Sequence, residues 1–171
     1  MKTAAVAASL ALIGTIVLAN WLTSEFGLIP SGFGLLVTAG TYSAGLALAL
    51  RDVVHETGGV RWVIATIIVG CAVSYFIGSG RIAAASAAAF LLAELSDFAV
   101  YSPLRRRQWH TAVVASNLVG SIIDSFVFLS LAGFPLTVVS VGGQILVKAV
   151  WVTGSFLLIA EVVRRARRQR T

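Results

Sequence analysis

The stretch "FLLAELSDFAVY", residues 90–101, decides how the chain is read, because it sets Glu94 and Asp97 in a run otherwise suited to the interior of a lipid bilayer. A carboxylate there is expensive unless it has a partner or a task. The surrounding chain has 171 residues, 58% of them hydrophobic and 12% charged, with a mean hydropathy of +0.93. A soluble domain of that size needs far more polar surface to cover its core. The composition specifies an integral membrane protein. It is expected to be all-α, because isolated strands cannot satisfy their backbone in lipid.

At about 20 apolar residues per span, the length accommodates roughly six spans with short loops. Apolar runs between charged or Pro/Gly breaks predict spans over 3–22, 32–50, 60–78, 82–101, 110–133 and 138–163. They form a single transmembrane domain, 1–171, ending in a basic tail over 164–171. The apolar run after Lys2 continues through Trp21 and Leu22 without a small-x-small cleavage site, so it reads as a first span rather than a signal peptide.

Net charge is +6, and the basic residues cluster at the ends of apolar runs. Lys2, Arg51, Arg61, Arg105, Arg106, Arg107 and five tail arginines, eleven in all, fall on one side, against Arg81 on the other. Positive residues favour the cytoplasmic side, so both termini are expected there. The basic tail then meets anionic lipid head groups, and a nucleic-acid partner is not expected. Cys71, the single cysteine, lies mid-span and excludes a disulfide framework or a cysteine metal site. With no paired-aspartate metal motif and no phosphate-binding glycine loop, neither an enzyme nor a cofactor is expected.

Three predicted spans each carry a polar stripe. Glu94 and Asp97 share a face of span four, with Tyr101 a turn further on; Asn117, Ser121 and Asp124 share one on span five; Gln144, Lys148, Trp151 and Ser155 share one on span six. Together they imply a shared polar interior. Counting the helical rise from the outer ends puts Asp124 and Lys148 at roughly 15 Å, Glu94 at about 20 Å, Gln144 at about 10 Å, and Asp97 and Asn117 near 25 Å. A midplane layer of Glu94, Asp124, Gln144 and Lys148 is therefore expected, with Asp97 and Asn117 toward the cytoplasm. Asp124 and Lys148 either neutralise each other or serve a ligand. Glu94 has no second cation at its predicted depth, which favours a substrate or proton pathway.

Arg51, Asp52, His55 and Glu56 recur at helical spacing in "LRDVVHETGG" and continue span two as a charged cytoplasmic turn that ends at Gly58-Gly59. A solvated, self-paired turn is the plainer reading. His55 and Glu56 lack further metal ligands. Small residues at Ala4, Ala8, Ala11, Ala83 and Ala87 allow close helix approach, for packing within the bundle or docking of another subunit.

"RDVVHETGG", "ELSDFAVYSPLRRR", "SNLVGSIIDSFVFLSLAGFP" and "GQILVKAVW" together resemble the putative vitamin uptake transporter family, whose best-known members are queuosine precursor transporters. The similarity runs over roughly residues 15–155 and rests on the ordered combination of the span-four Asp, the span-five Asn and Asp-Ser, and the span-six Gln and Lys. The resemblance implies a six-helix inner-membrane importer, related in fold to the substrate-binding subunits of energy-coupling-factor transporters. The implied cargo is a 7-deazaguanine base, the cyano or aminomethyl precursor of queuosine in tRNA.

The polar set suits such a cargo. A guanine-like base offers adjacent N–H donors to a carboxylate fork and a carbonyl to an amide or ammonium. Flat bases are held between aromatic rings, for which Phe90, Phe98, Phe126, Tyr42 and Trp151 are candidates. The expected substrate site comprises Glu94, Asp97, Asn117, Asp124, Gln144, Lys148, Phe90 and Trp151, with Glu94 or Asp97 on the donor edge. Asn117 and Gln144 would read other polar atoms, and Lys148 with Asp124 would close the site or carry a coupled proton. Two rivals stay open: a substrate-capture subunit needing an ATP-driven partner, and a structural protein whose buried charges only fix packing. A homodimer and a coupling subunit both remain open as partners.

Overall fold

A computed structural model describes residues 2–104, 109–152 and 154. Helix α1 spans Lys2–Phe26, followed by two short strands, β1 (Leu28–Gly32) and β2 (Leu35–Thr38). Then come α2 (Thr41–Gly58), α3 (Val60–Ile77), α4 (Gly80–Leu104), α5 (Trp109–Ala132) and α6 (Val138–Ile145), which runs on into π-helical turns over Leu146–Val152. Among the described residues, four helical stretches are long and apolar enough to cross a membrane: Ala5–Phe26, Val60–Ile77, Gly80–Tyr101 and Val114–Ala132. The helical, multi-pass membrane architecture thus follows the sequence expectation. Leu10, Phe76 and Leu95 are among the large apolar side chains pointing outward, as a lipid-facing surface requires.

The predicted span over 32–50 needs correcting. Its first seven residues, 32–38, belong to an antiparallel hairpin in which Leu28 pairs with Thr38, Ile29 with Val37 and Pro30 with Leu36. The turn "GFG" at 32–34 has positive φ at all three residues, so a helix cannot run through it. The hairpin buries Val37 and Thr38 at the inner end of β2 and leaves Pro30 and the turn over 32–34 exposed. It packs along α6, so closely that a Cβ at Gly143 would meet the Leu36 carbonyl oxygen at 2.5 Å. Helix α2 starts only at Thr41 and continues to Gly58, carrying Arg51, Asp52 and Glu56 inside it. Gly59, with φ of 81°, ends it where the Gly58-Gly59 pair was expected to.

Packing divides into two apolar clusters. One joins Leu12 and Ile16 of α1, Ala47 and Val54 of α2, Ile67 and Cys71 of α3, and Phe90 of α4. The other joins Ile82, Ala85 and Ala89 of α4 to Phe128 of α5. Buried hydroxyls link the helices as they do in lipid, Ser43 donating to the Thr15 carbonyl at 2.8 Å and Thr66 to Ser9 at 3.2 Å. Ala8 and Ala83 are buried, so internal packing accounts for both, whereas Ala11 faces outward. Arg81 donates to the Leu131 carbonyl at 3.0 Å, a cation on the C-terminal end of α5.

Candidate functional site

Among the described residues, two buried polar sites stand out, grouped differently from the layers expected. The first is built around Arg51 of α2, whose side chain is only 2% exposed. Its Nη1 lies 2.8 Å from Glu94 Oε2 and its Nη2 3.4 Å from Asp97 Oδ1, both on α4. Nη2 and Nε also donate to Asp52 Oδ1, at 2.6 and 3.0 Å. Asp52 is the hydrated end of this cluster, with 36% of its side chain exposed. His55 Nδ1 stands 3.8 Å from Glu94 Oε1.

Glu94 therefore does have a cation beside it, which corrects the expectation that none lay at its depth. The turn of α2 bearing Arg51 is self-paired through Asp52 and partly solvated, as expected, but the Arg51 guanidinium itself is buried and reaches across to α4. The 2.8 Å contact is a charge–charge approach without good hydrogen-bond alignment, because the guanidinium directs its aligned N–H groups at Asp52. Both Glu94 oxygens and Asp97 Oδ1 accordingly find no aligned donor among the described residues.

The second site is a small cavity between the two apolar clusters. Phe90 from one cluster and Phe128 from the other supply aromatic wall, and Asn20 and Thr23 of α1, Thr38 of β2 and Ser86 of α4 supply hydroxyl and amide groups. Asp124 of α5 and Lys148 of the π-helical turns supply the charge. Apart from the half-buried Ala44, every lining residue is buried. Gly40 also lines the cavity. A side chain there is impossible, since its Cβ would fall 2.0 Å from the Ala19 carbonyl oxygen, and the bare backbone instead donates to Thr23 Oγ1 at 3.1 Å.

The charged wall is tightly connected. Lys148 Nζ donates to Asp124 Oδ2 and to Gln144 Oε1, each at 2.6 Å, and approaches Ser125 Oγ at 3.5 Å. Gln144 Nε2 donates to Thr38 Oγ1 at 3.4 Å, and Thr38 shares a 2.9 Å hydroxyl contact with Thr41. The network thus runs from α5 through α6 to the hairpin. The π-helical turns, which place Lys148 against both Asp124 and Gln144, are a local irregularity often found at functional sites.

Of the residues expected at one site, the structure brings Asp124, Lys148 and Phe90 to the cavity, with Gln144 bonded just behind its wall. Glu94 and Asp97 belong to the Arg51 cluster and are not among the lining residues, so the expected midplane layer splits in two. Asn117 is buried on α5 seven residues before Asp124, about 10 Å along the helix, and does not line the cavity either. Phe98, Phe126 and Tyr42 point outward, which removes them as stacking candidates; the Trp151 side chain and Ser155 lie outside the described residues. Sequence reasoning missed Asn20, Thr23, Thr38 and Phe128. Only Asn20, a lone amide in an apolar run, left a usable signal.

A polar cavity with aromatic walls inside a multi-pass helical bundle is what a small-molecule carrier requires. Neither the curated proteins nor the solved structures contain a match to this chain. One family model matches over residues 3–163, nearly the whole sequence, and the chain accordingly belongs to the putative vitamin uptake transporter family.

Proposed function

We propose that the protein imports a 7-deazaguanine queuosine precursor, the cyano or aminomethyl base, for salvage into tRNA, and that the cavity at Asp124 and Lys148 holds it. The observation that carries this reading is the chemistry of the cavity lining, in which a buried carboxylate and ammonium stand among aromatic, hydroxyl and amide groups. The Phe90 and Phe128 rings offer apolar faces to such a base. Asp124 is the carboxylate for the adjacent N–H donors of the base edge, and Lys148, donating to it at 2.6 Å, holds it oriented.

With both termini cytoplasmic, as the Lys/Arg asymmetry indicates, the hairpin end of the bundle faces outward and the cavity lies in the outer half. The Arg51 cluster then lies between cavity and cytoplasm. Movement of cargo inward requires that α2 and α4 part, and Arg51–Glu94 is the contact that holds them on that side.

The test is uptake in cells that neither make nor import the precursor, expressing this chain alone, supplied with a nanomolar concentration of the base and read as queuosine in tRNA. Restored modification that is lost in Asp124→Asn supports the reading. Failure of the expressed protein both to restore modification and, once purified, to bind the base refutes it. Binding without uptake points to the substrate-capture role with an ATP-driven partner.

A further inference from the structure

Asn20 is 3% exposed, yet its side-chain Nδ2 has no hydrogen-bond partner among the described residues while its residue lines the cavity. Burying an amide N–H₂ unmatched is costly, and such groups are satisfied or have a role. Several other donors around the cavity are already engaged. Lys148 is spent on Asp124 and Gln144. Thr38 shares its contact with Thr41. Thr23 Oγ1 accepts from Gly40 and still has its own proton to give, one turn from Asn20 on the same face of α1.

The wall is thus asymmetric. At Asp124 it presents an acceptor anchored by a cation; at Asn20 and Thr23 it presents donors that need an acceptor. We propose that Asn20 is a specificity-determining residue, whose Nδ2 donates to a ring carbonyl and so selects lactam (6-oxo) bases over their 6-amino counterparts. The proposal rests on the nucleobase reading of the cavity and adds which exocyclic group is read, and by which side chain. A 6-amino group at the same place would set donor against donor and leave the amide unmatched. The expected preference of the wild type for the 6-oxo base is about 10–100-fold, the equivalent of one unmatched buried polar group.

The experiment is equilibrium binding of 7-cyano-7-deazaguanine and of its 6-amino counterpart to the purified full chain in nanodiscs, for wild type, Asn20→Leu and Asn20→Asp, with thermal unfolding run in parallel. The proposal expects the preference to collapse to within about 3-fold in Asn20→Leu, where no donor remains, and to shift toward the 6-amino base in Asn20→Asp, where an acceptor replaces the donor. Unfolding should not move to lower temperature in Asn20→Leu, because an unmatched polar group is being removed; a purely structural asparagine would lose stability instead. A preference retained in both variants, or in Asn20→Asp should Asn20→Leu fail to fold, overturns the role of Asn20 and leaves the nucleobase reading standing. A wild type that binds neither base overturns that reading and this proposal together.

Discussion

Replacing Arg51 by methionine tests the electrostatic logic of the bundle most directly. One guanidinium stands 2.8 Å from Glu94 and 3.4 Å from Asp97, both buried, so a single truncation strands two carboxylates at once. Removing one partner of a buried pair costs about 3–5 kcal/mol, chiefly because the remaining charge stays buried and uncompensated. Asp52 adds little to that loss, since its carboxylate is exposed enough to rehydrate. The expected destabilisation of Arg51→Met is therefore about 3–5 kcal/mol, read by reversible denaturant unfolding from mixed micelles. The stranded charges can also be neutralised. Arg51→Met with Glu94→Gln and Asp97→Asn should recover to within about 1 kcal/mol of wild type, because a neutral buried set often matches an ionic one. Arg51→Lys should fall between, since an ammonium cannot reproduce the planar fork that reaches three carboxylates. The reasoning is refuted if Arg51→Met costs under about 1 kcal/mol, or if its effect simply adds to those of the carboxylate changes. The same series separates two roles for Glu94. Held by Arg51 and away from the cavity, it should alter stability and transport in Glu94→Gln while leaving affinity for the base within about 3-fold.

Lys148→Met should also cost about 3–5 kcal/mol in the same unfolding assay and abolish high-affinity binding, because Asp124 loses its 2.6 Å partner; adding Asp124→Asn should restore stability but not binding. Phe90→Ala should cost about 3–5 kcal/mol and weaken binding, whereas Phe98→Ala, on a face that points outward, should do neither. Gly143→Ala should cost about 1–3 kcal/mol, since its methyl is driven into the Leu36 carbonyl, and should weaken binding by moving Thr38 with the hairpin. Equal stability of Gly143→Ala and wild type would mean that the hairpin is not seated against α6.

How much of this was legible in the sequence depended on which physical signal each element carries. The four long helices were readable because length and continuous apolarity suffice to identify a span. The run over 32–38 was not, because apolarity alone does not separate a sheltered strand from a helix. Pro30, Gly32 and Gly34 mark a turn at the entrance of the span predicted over 32–50. The Asp124–Lys148 pair was readable from depth, since two opposite charges at equal depth in lipid have strong reason to meet. Asn20 offered only its presence in an apolar run; that its amide is unmatched is a property of the folded cavity.

Arg51 carries two conflicting signals in the sequence, and the stronger one places it inside the bundle. Counting it as a cytoplasmic topology signal used its charge and its position at the end of an apolar run. Yet the helical spacing of Arg51, Asp52, His55 and Glu56 already implied that the helix continued past it, and Glu94 already required a cation. An unpaired carboxylate in a bilayer is costly enough to outweigh a single positive-inside count, so the demand of Glu94 should have drawn Arg51 inward. Its transfer leaves the topology argument intact: without it the predicted cytoplasmic side still holds ten of the original eleven cations against Arg81. The residue could be moved from the surface to the interior at no cost to the orientation, whereas leaving it outside stranded two charges.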